Sequence, residues 1–184
     1  MEEEIEFIID AAQESMGKVL VHLEKKYTTI RAGKASPAML NGVMVEYYGS
    51  PTPLNQVSNI NTPDGMTITV QPFEKSLISE IEKGIMMANL GFNPMNNGES
   101  VIISVPPLTE ERRRELAKQA KAEAEDAKVR VRNERKSANN ELKALDISED
   151  LKKNLEMDVQ ELTDKHIQKI DQIFSNKEAE IMKV

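Results

Sequence analysis

The chain has 184 residues, 39% of them apolar, enough to bury the core of one ordinary domain or two small ones. The absence of cysteine excludes disulfides, thiolate metal sites and cysteine nucleophiles, and suits a reducing, cytoplasmic setting. The formal net charge is -7, aromatics make up 4% and tryptophan is absent, which argues against a base-stacking platform for single-stranded RNA. Any nucleic acid would be held by backbone and shape. No apolar run approaches the roughly 18 residues of a membrane span, and the acidic start MEEEIEF is unlike a basic signal or transit peptide.

From residue 2 to 30, Ile5, Ile9, Ala12, Met16, Val19, Leu23 and Ile30 recur at spacings of three and four, predicting one apolar stripe on a long helix that only Lys26 interrupts. The composition then changes. All eight prolines and seven of the eight glycines lie between Gly33 and Pro107. Short β-rich runs, VMVEY (43–47), MTITVQ (66–71) and SVIISV (100–105), are set off by the turn signals YGSPTP, NTPDG and NPMNNG. Residues 74–90 read as an amphipathic helix. A second long helix starts at Thr109, with Leu116, Ala120, Ala124, Ala127, Val131, Ala138, Leu142 and Leu145 aligned. A third follows Ser148 as N-cap, with Leu151, Leu155, Val159, Leu162, His166, Ile170 and Ile173 along its seam.

Three long stripes, none able to stand alone in water, predict a bundle, and the β-rich segment reads as a domain spliced into it. The expected fold is therefore α+β with two domains: a long antiparallel three-helix bundle (1–30 and 106–184) and an inserted small β/α/β domain (31–105). A spliced domain is joined to its host by two adjacent connections, which define a hinge axis. Here they fall on Ile30, Arg31, Ala32 and Gly33 and on Val105, Pro106 and Pro107. The prolines stiffen one connection and Gly33 loosens the other.

Most other constellations are weak. His22 and His166 are the only histidines, and each is expected at a helix interface; no metal set is completed. Ser36-Pro37 resembles a helix start, with no neighbouring histidine to activate the hydroxyl. NLGFNPMNNG lacks the lysine and spacing of a phosphate loop. Met86, Met87 and Met95 read as core filler of the small domain, a partner-binding patch being the other reading. No catalytic residue, metal site or cofactor is expected.

The second long helix carries the one strong charge feature. From Arg112 to Lys136 there are ten basic and five acidic residues, so the segment is positive within an acidic chain. At about 100° per residue, Arg114, Lys118, Lys121, Lys128, Arg132, Arg135, Lys136 and Lys143 fall within an arc of roughly 100° beside the apolar stripe. One reading is a solvated face paired with acids on neighbouring helices. The other is a docking surface for a polyanion, favoured because acids are not interleaved at four-residue spacing and because arginine forks onto phosphate oxygens. A helical adaptor that dimerises as a coiled coil is the rival function; a hydrolase lacks a base and nucleophile pair.

The motifs IRAGKASPAML, VEYYGSPTPLNQV, LGFNP, VPPLTEERRRELAK, VRNERKSANNELK and KEAEIM, in that order, resemble those of the bacterial ribosome recycling factor family over essentially the whole length. The resemblance implies a non-enzymatic translation factor, L-shaped overall. It implies a bundle laid on large-subunit ribosomal RNA, elongation factor G with its bound GTP as protein partner, no membrane, and a monomer. The family's functionally important arginine in VRN matches Arg132, and a second motif near the hinge matches Arg112 and Arg113. With the band, the expected RNA-binding residues are Arg112, Arg113, Arg114, Lys118, Lys121, Lys128, Arg130, Arg132, Arg135 and Lys136. Two departures stand out, RKSANN and a short link KALDISED between the second and third helices.

Overall fold

A computed structural model of the chain describes residues 1–30 and 33–183. Arg31 and Ala32, two of the expected hinge positions, lie outside the described residues. The chain divides into two compact units, Met1–Ile30 with Arg113–Lys183, and Arg31–Arg112.

The first unit is three helices, α1 (Glu2–Tyr27), α4 (Glu110–Lys143) and α5 (Glu149–Met182). Their ends are built for helix. Glu2, Glu3 and Glu4 in the first turn of α1 and Lys25 and Lys26 in its last complement the helix dipole. Thr109 Oγ1 accepts the Arg112 N–H at 3.1 Å, and Ser148 Oγ accepts the Leu151 N–H at 3.2 Å, so α4 and α5 both start on a hydroxyl cap. In the link between them, Lys152 Nζ donates to the Lys143 carbonyl at 3.1 Å, closing the end of α4.

α4 runs antiparallel to both neighbours. One end of the bundle packs Ile8 and Ala12 of α1 on Ala138 and Leu142 of α4 and Leu155 and Val159 of α5. Further along, Tyr27 Oη donates to the Ala120 carbonyl at 2.6 Å and Lys26 Nζ meets Glu123 at 3.1 Å. The α1 stripe is broader than the spacing indicated. Ile8 and Tyr27 are buried whereas Ile5, Ile9 and Val19 are only half-buried, because a helix with two neighbours buries a wide face. On α5, Leu151 is exposed; Thr163, donating to the Val159 carbonyl at 2.8 Å, and Ile181 join the core instead. His166 is buried as expected, with Nδ1 2.7 Å from the Leu162 carbonyl, but His22 is exposed.

The second unit contains the hairpin β1 (Met44–Tyr47) and β2 (Ser50–Pro53), the short α2 (Leu54–Val57), β3 (Ser58–Asp64), β4 (Thr67–Pro72), α3 (Ile78–Met87), β5 (Pro94–Asn96) and β6 (Val101–Ser104). The larger sheet has the order β3-β4-β6-β5, antiparallel throughout. Its inner face alternates cleanly: Ile68 and Val70 of β4 and Val101 and Ile103 of β6 are buried, packed with Val45, Leu54, Ile81 and Ile85. Three segments expected as turns supply strands. YGSPTP contains β2, NTPDG contains the end of β3, and NPMNNG contains the whole of β5. All three are edge strands, where proline is tolerated, so Pro51, Pro53, Pro63 and Pro94 masked them.

The helix expected over 74–90 is shorter, a 3-10 turn (Lys75–Leu77) leading into α3. Met86, Met87 and Met95 are not core filler; they are 63%, 86% and 71% exposed. The isoleucines Ile81 and Ile85 occupy the inner face of α3, and Met86 and Met87 follow on the outer one. Ser36 does start a helical turn, its Oγ accepting the Ala38 N–H, with Pro37 in the first position.

Two predictions follow from packing. A Cβ on Gly84 would lie 2.5 Å from the Met44 carbonyl oxygen, so Gly84→Ala should destabilise the second unit by about 1–3 kcal/mol while helical circular dichroism from the bundle persists. Urea titration with hydrogen exchange at β1 reads this. Burial, with a smaller contribution from Glu123, raises the Tyr27 pKa from 10.0 to about 12. The folded state favours the protonated phenol, so this stabilisation is complete below about pH 10 and disappears towards about pH 12. Tyr27→Phe should cost about 0.5–1.5 kcal/mol at neutral pH and remove that alkaline loss, measured as the difference between the two stability profiles.

Candidate nucleic-acid interface

The ten expected cations lie on one helix, α4, but do not form one surface. Taking Arg132 as reference, the buried side chains Leu116, Ala120, Ala124, Ala127, Val131, Ala138 and Leu142 centre about 110° to one side. Lys118, Lys121, Arg132 and Lys136 fall within an arc of about 60° on the outer face and are exposed. They form a ridge. From Lys118 to Lys136 it extends about 27 Å at 1.5 Å per residue. None of these four makes an ion pair or side-chain hydrogen bond among the described residues. Arg114 continues the same line and is exposed, with an interaction of its own within the chain.

Three other members of the band are committed to α5. Lys128, its side chain 16% exposed, lies 2.6 Å from Asp171 and 3.5 Å from Glu125. The hydrogen bond to Asp171 holds its pKa above the ordinary lysine value. Glu125 is the acid that interrupts the ridge, and Lys128 neutralises it there. Arg135 is half-buried and donates from Nη1 to Gln160 Oε1 at 3.2 Å; Gln160 in turn donates to Asp164 at 2.9 Å. Lys143 pairs with Glu156 at 3.7 Å. The α5 partners carried no signal in the sequence beyond an ordinary polar face, because which residue meets which across two helices depends on register.

Arg112 and Arg130 are elsewhere. Each lies about 160° around α4 from Arg132. Arg130 lines a small crevice with Val19, His22, Lys26, Glu123 and Asp126. Arg113 is half-buried, its Nε shielded and without a partner among the described residues. Among the described residues no cluster of histidine and acidic side chains could hold a metal, and no helix is long and apolar enough to cross a membrane.

At the expected hinge, both connections are fastened to consecutive residues of the β3–β4 turn. The Ala35 N–H donates to the Gly65 carbonyl at 2.9 Å and the Val105 N–H to the Met66 carbonyl at 2.7 Å. Gly33 has φ +85°, a conformation that favours glycine; Val105 is buried and Pro106 and Pro107 are exposed. Ile30, at the end of the first unit's α1 segment, is buried.

A bundle built on α4, an inserted sheet domain and this ridge can be set against known proteins. The family model of the ribosome recycling factor matches residues 23–182. This chain belongs to the ribosome recycling factor family. It is 68% identical over 182 residues to a ribosome-recycling factor of Christiangramia forsetii, covering 99% of this chain and 100% of that one. It is 62% identical over 187 residues to one from Flavobacterium johnsoniae, with full coverage of both. Among solved structures, a solution structure of the ribosome recycling factor superposes with a TM-score of 0.82 at 38% identity, covering 98% of each chain. A second is similar at 39% identity and a TM-score of 0.65, covering 97% of this chain and 99% of the other. It comes from models for the T. thermophilus ribosome recycling factor and E. coli elongation factor G bound to the E. coli post-termination complex.

The division of the cations gives a stability test within this recycling-factor chain. Lys128→Met should lower bundle stability by up to about 1 kcal/mol, the modest value reflecting the exposure of Asp171, whereas Lys136→Met should stay within about 0.5 kcal/mol of wild type. Urea denaturation of the two variants separates a helix-pairing lysine from a ridge lysine.

Proposed function

We propose that this chain binds the post-termination ribosome and, with elongation factor G and GTP, splits it into subunits, releasing mRNA and tRNA for a new round of translation. The observation that carries the reading is Arg132. It stands exposed on the cationic ridge, in the motif VRN, with no ion pair or side-chain hydrogen bond to satisfy its guanidinium among the described residues. A guanidinium presented in this way suits the paired oxygens of a phosphate. The ridge of Lys118, Lys121, Arg132 and Lys136, continued by Arg114, is the surface laid on large-subunit ribosomal RNA. Lys128 and Arg135 fix α4 against α5 and act on the ridge indirectly.

The chain itself needs no chemistry in this reading. It is a translation factor and not an enzyme, working in the cytoplasm where ribosomes are, and the energy comes from GTP on the partner. Ile30 to Gly33 and Val105 to Pro107 form the hinge, and the paired attachments at Gly65 and Met66 keep the two connections side by side so that the small domain turns as one body. The apolar seams of α1, α4 and α5 are covered by one another, which favours a monomer over the coiled-coil adaptor.

A subunit-splitting assay with purified post-termination complexes tests the function: splitting should require this chain, elongation factor G and GTP together. For the grip, Arg132→Ala should weaken binding to isolated large subunits by about 1.5–3 kcal/mol with helicity intact. Affinity should fall with salt at a log-log slope of about -3 to -5, and the variant should reduce that slope by about 1. Unchanged affinity in Arg132→Ala would remove the ridge from the account.

A further inference from the structure

On the second unit, Glu74 is a carboxylate with no cation partner among the described residues, since its neighbour Lys75 is paired with Glu99 at 3.9 Å. Two phenols hold it in place. Tyr47 Oη donates to Oε1 at 3.2 Å and Tyr48 Oη to Oε2 at 3.1 Å. Each oxygen so engaged keeps an acceptor position open. Both phenols are raised above their ordinary pKa, chiefly by these hydrogen bonds, so the arrangement persists through the neutral range.

Aromatic side chains flank the carboxylate. The Tyr47 and Tyr48 rings meet edge to face with centroids 4.5 Å apart. Tyr48 is 81% exposed and Phe73 61%. Tyr47, Phe73 and Glu74, with Val57 and Leu77, line a cavity of about 340 Å³. Tyr48 sits at φ +48° in the two-residue hairpin loop it shares with Gly49 at φ +79°, a left-handed position that a bulky side chain adopts at a cost. That backbone carries the hydroxyl that reaches Glu74.

The chemistry selects a cation and rejects a phosphate. A carboxylate beside π-faces attracts positive charge from two directions. Among protein side chains, guanidinium is planar and weakly hydrated, stacks on rings, and forks two N–H donors onto one carboxylate, which an ammonium cannot do. We propose that the groove formed by Tyr47, Tyr48, Phe73 and Glu74 receives an arginine side chain of a protein partner. The site lies on the unit that does not carry the cationic ridge, and its assignment is independent of the recycling function.

The test uses the full-length, ¹⁵N-labelled chain titrated by NMR with acetyl-Gly-Arg-Gly-amide, and with the same peptide carrying citrulline or lysine in place of arginine. The arginine peptide should shift the amides of Tyr47, Tyr48, Phe73 and Glu74 saturably and bind roughly tenfold more tightly than the isosteric, uncharged citrulline peptide, with lysine weaker than arginine. Glu74→Gln, which leaves the phenols an acceptor, should abolish the preference for arginine over citrulline. Phe73→Leu should weaken the arginine peptide while leaving the hydrogen bonds to Glu74 untouched. Unchanged core amides of Val45 and Ile103 confirm the fold in both variants. Equal binding of arginine and citrulline, equal binding of arginine and lysine, an arginine preference that survives Glu74→Gln, or shifts confined to the acidic faces of α1 and α5 would each overturn the assignment.

Discussion

The azimuth of α4 is the constraint on which the candidate interface depends. Ala120, Ala124, Ala127 and Val131 are all 5% exposed or less, so the middle of α4 meets its neighbours with side chains no larger than valine. Small contact residues let helix axes approach closely, and close approach leaves little freedom to rotate. A rotation of α4 by one residue, about 100°, would carry the alanines out of the seam and push charged side chains into it. The outward direction of Arg132 is therefore a consequence of what lies behind it. Leu116 and Leu142 anchor the ends of the same face with larger side chains, where the spacing between helices has room for them.

Cross-helix polar contacts refine this arrangement without supplying its stability. The Lys128–Asp171 pair is short, but Asp171 is 57% exposed, and such pairs contribute roughly 0–1 kcal/mol. The burial of one large apolar side chain is worth more, about 1.5–3 kcal/mol. What Lys128, Arg135 and Lys143 add is register: each meets a specific acceptor on α5, so sliding the helices by one turn would lose all three at once. Their charge is used inside the bundle. The ridge charge, on Lys118, Lys121, Arg132 and Lys136, is not.

Much of the bundle was legible in the sequence because helix periodicity is local: Ser148 caps α5, and Leu116 to Leu142 line one face as their spacing requires. The β-rich unit was legible only at its centre. β4 alternates polar and apolar residues and β6 is a short β-branched run, whereas β2, β3 and β5 are edge strands whose prolines and asparagines imitate turns. The same limit applies to charge. Helical geometry placed the band on one side of α4, but the division between Lys128, turned to Asp171, and Lys136, turned to solvent, depends on a partner 43 residues away in the chain for Lys128 and on none for Lys136. Met86 and Met87 were misplaced for a related reason: apolar character says that a residue can be buried, and the competition with Ile81 and Ile85 for one narrow face of α3 decides whether it is; Met95 stands exposed on the edge strand β5.

An acidic chain can still settle on a polyanion, because charges are felt only over a short range. At physiological ionic strength the screening length is about 8 Å, and an α-helix with its side chains is about 10–12 Å across. A phosphate against the ridge of α4 would thus feel the cation beside it, and successive phosphates along the ridge would meet Lys118, Lys121, Arg132 and Lys136 in turn, while acids on the far faces of α1 and α5 are a helix diameter away and largely screened. Those acids are felt in any other orientation. Laid on RNA by its α1 or α5 face, the bundle would bring carboxylates against phosphates, and repulsion would disfavour the contact. On the proposed reading, the net charge of -7 would not oppose docking by α4; it would narrow docking to that one face. A uniformly basic bundle would bind more tightly on all sides and would lose the orientation that a single cationic face supplies.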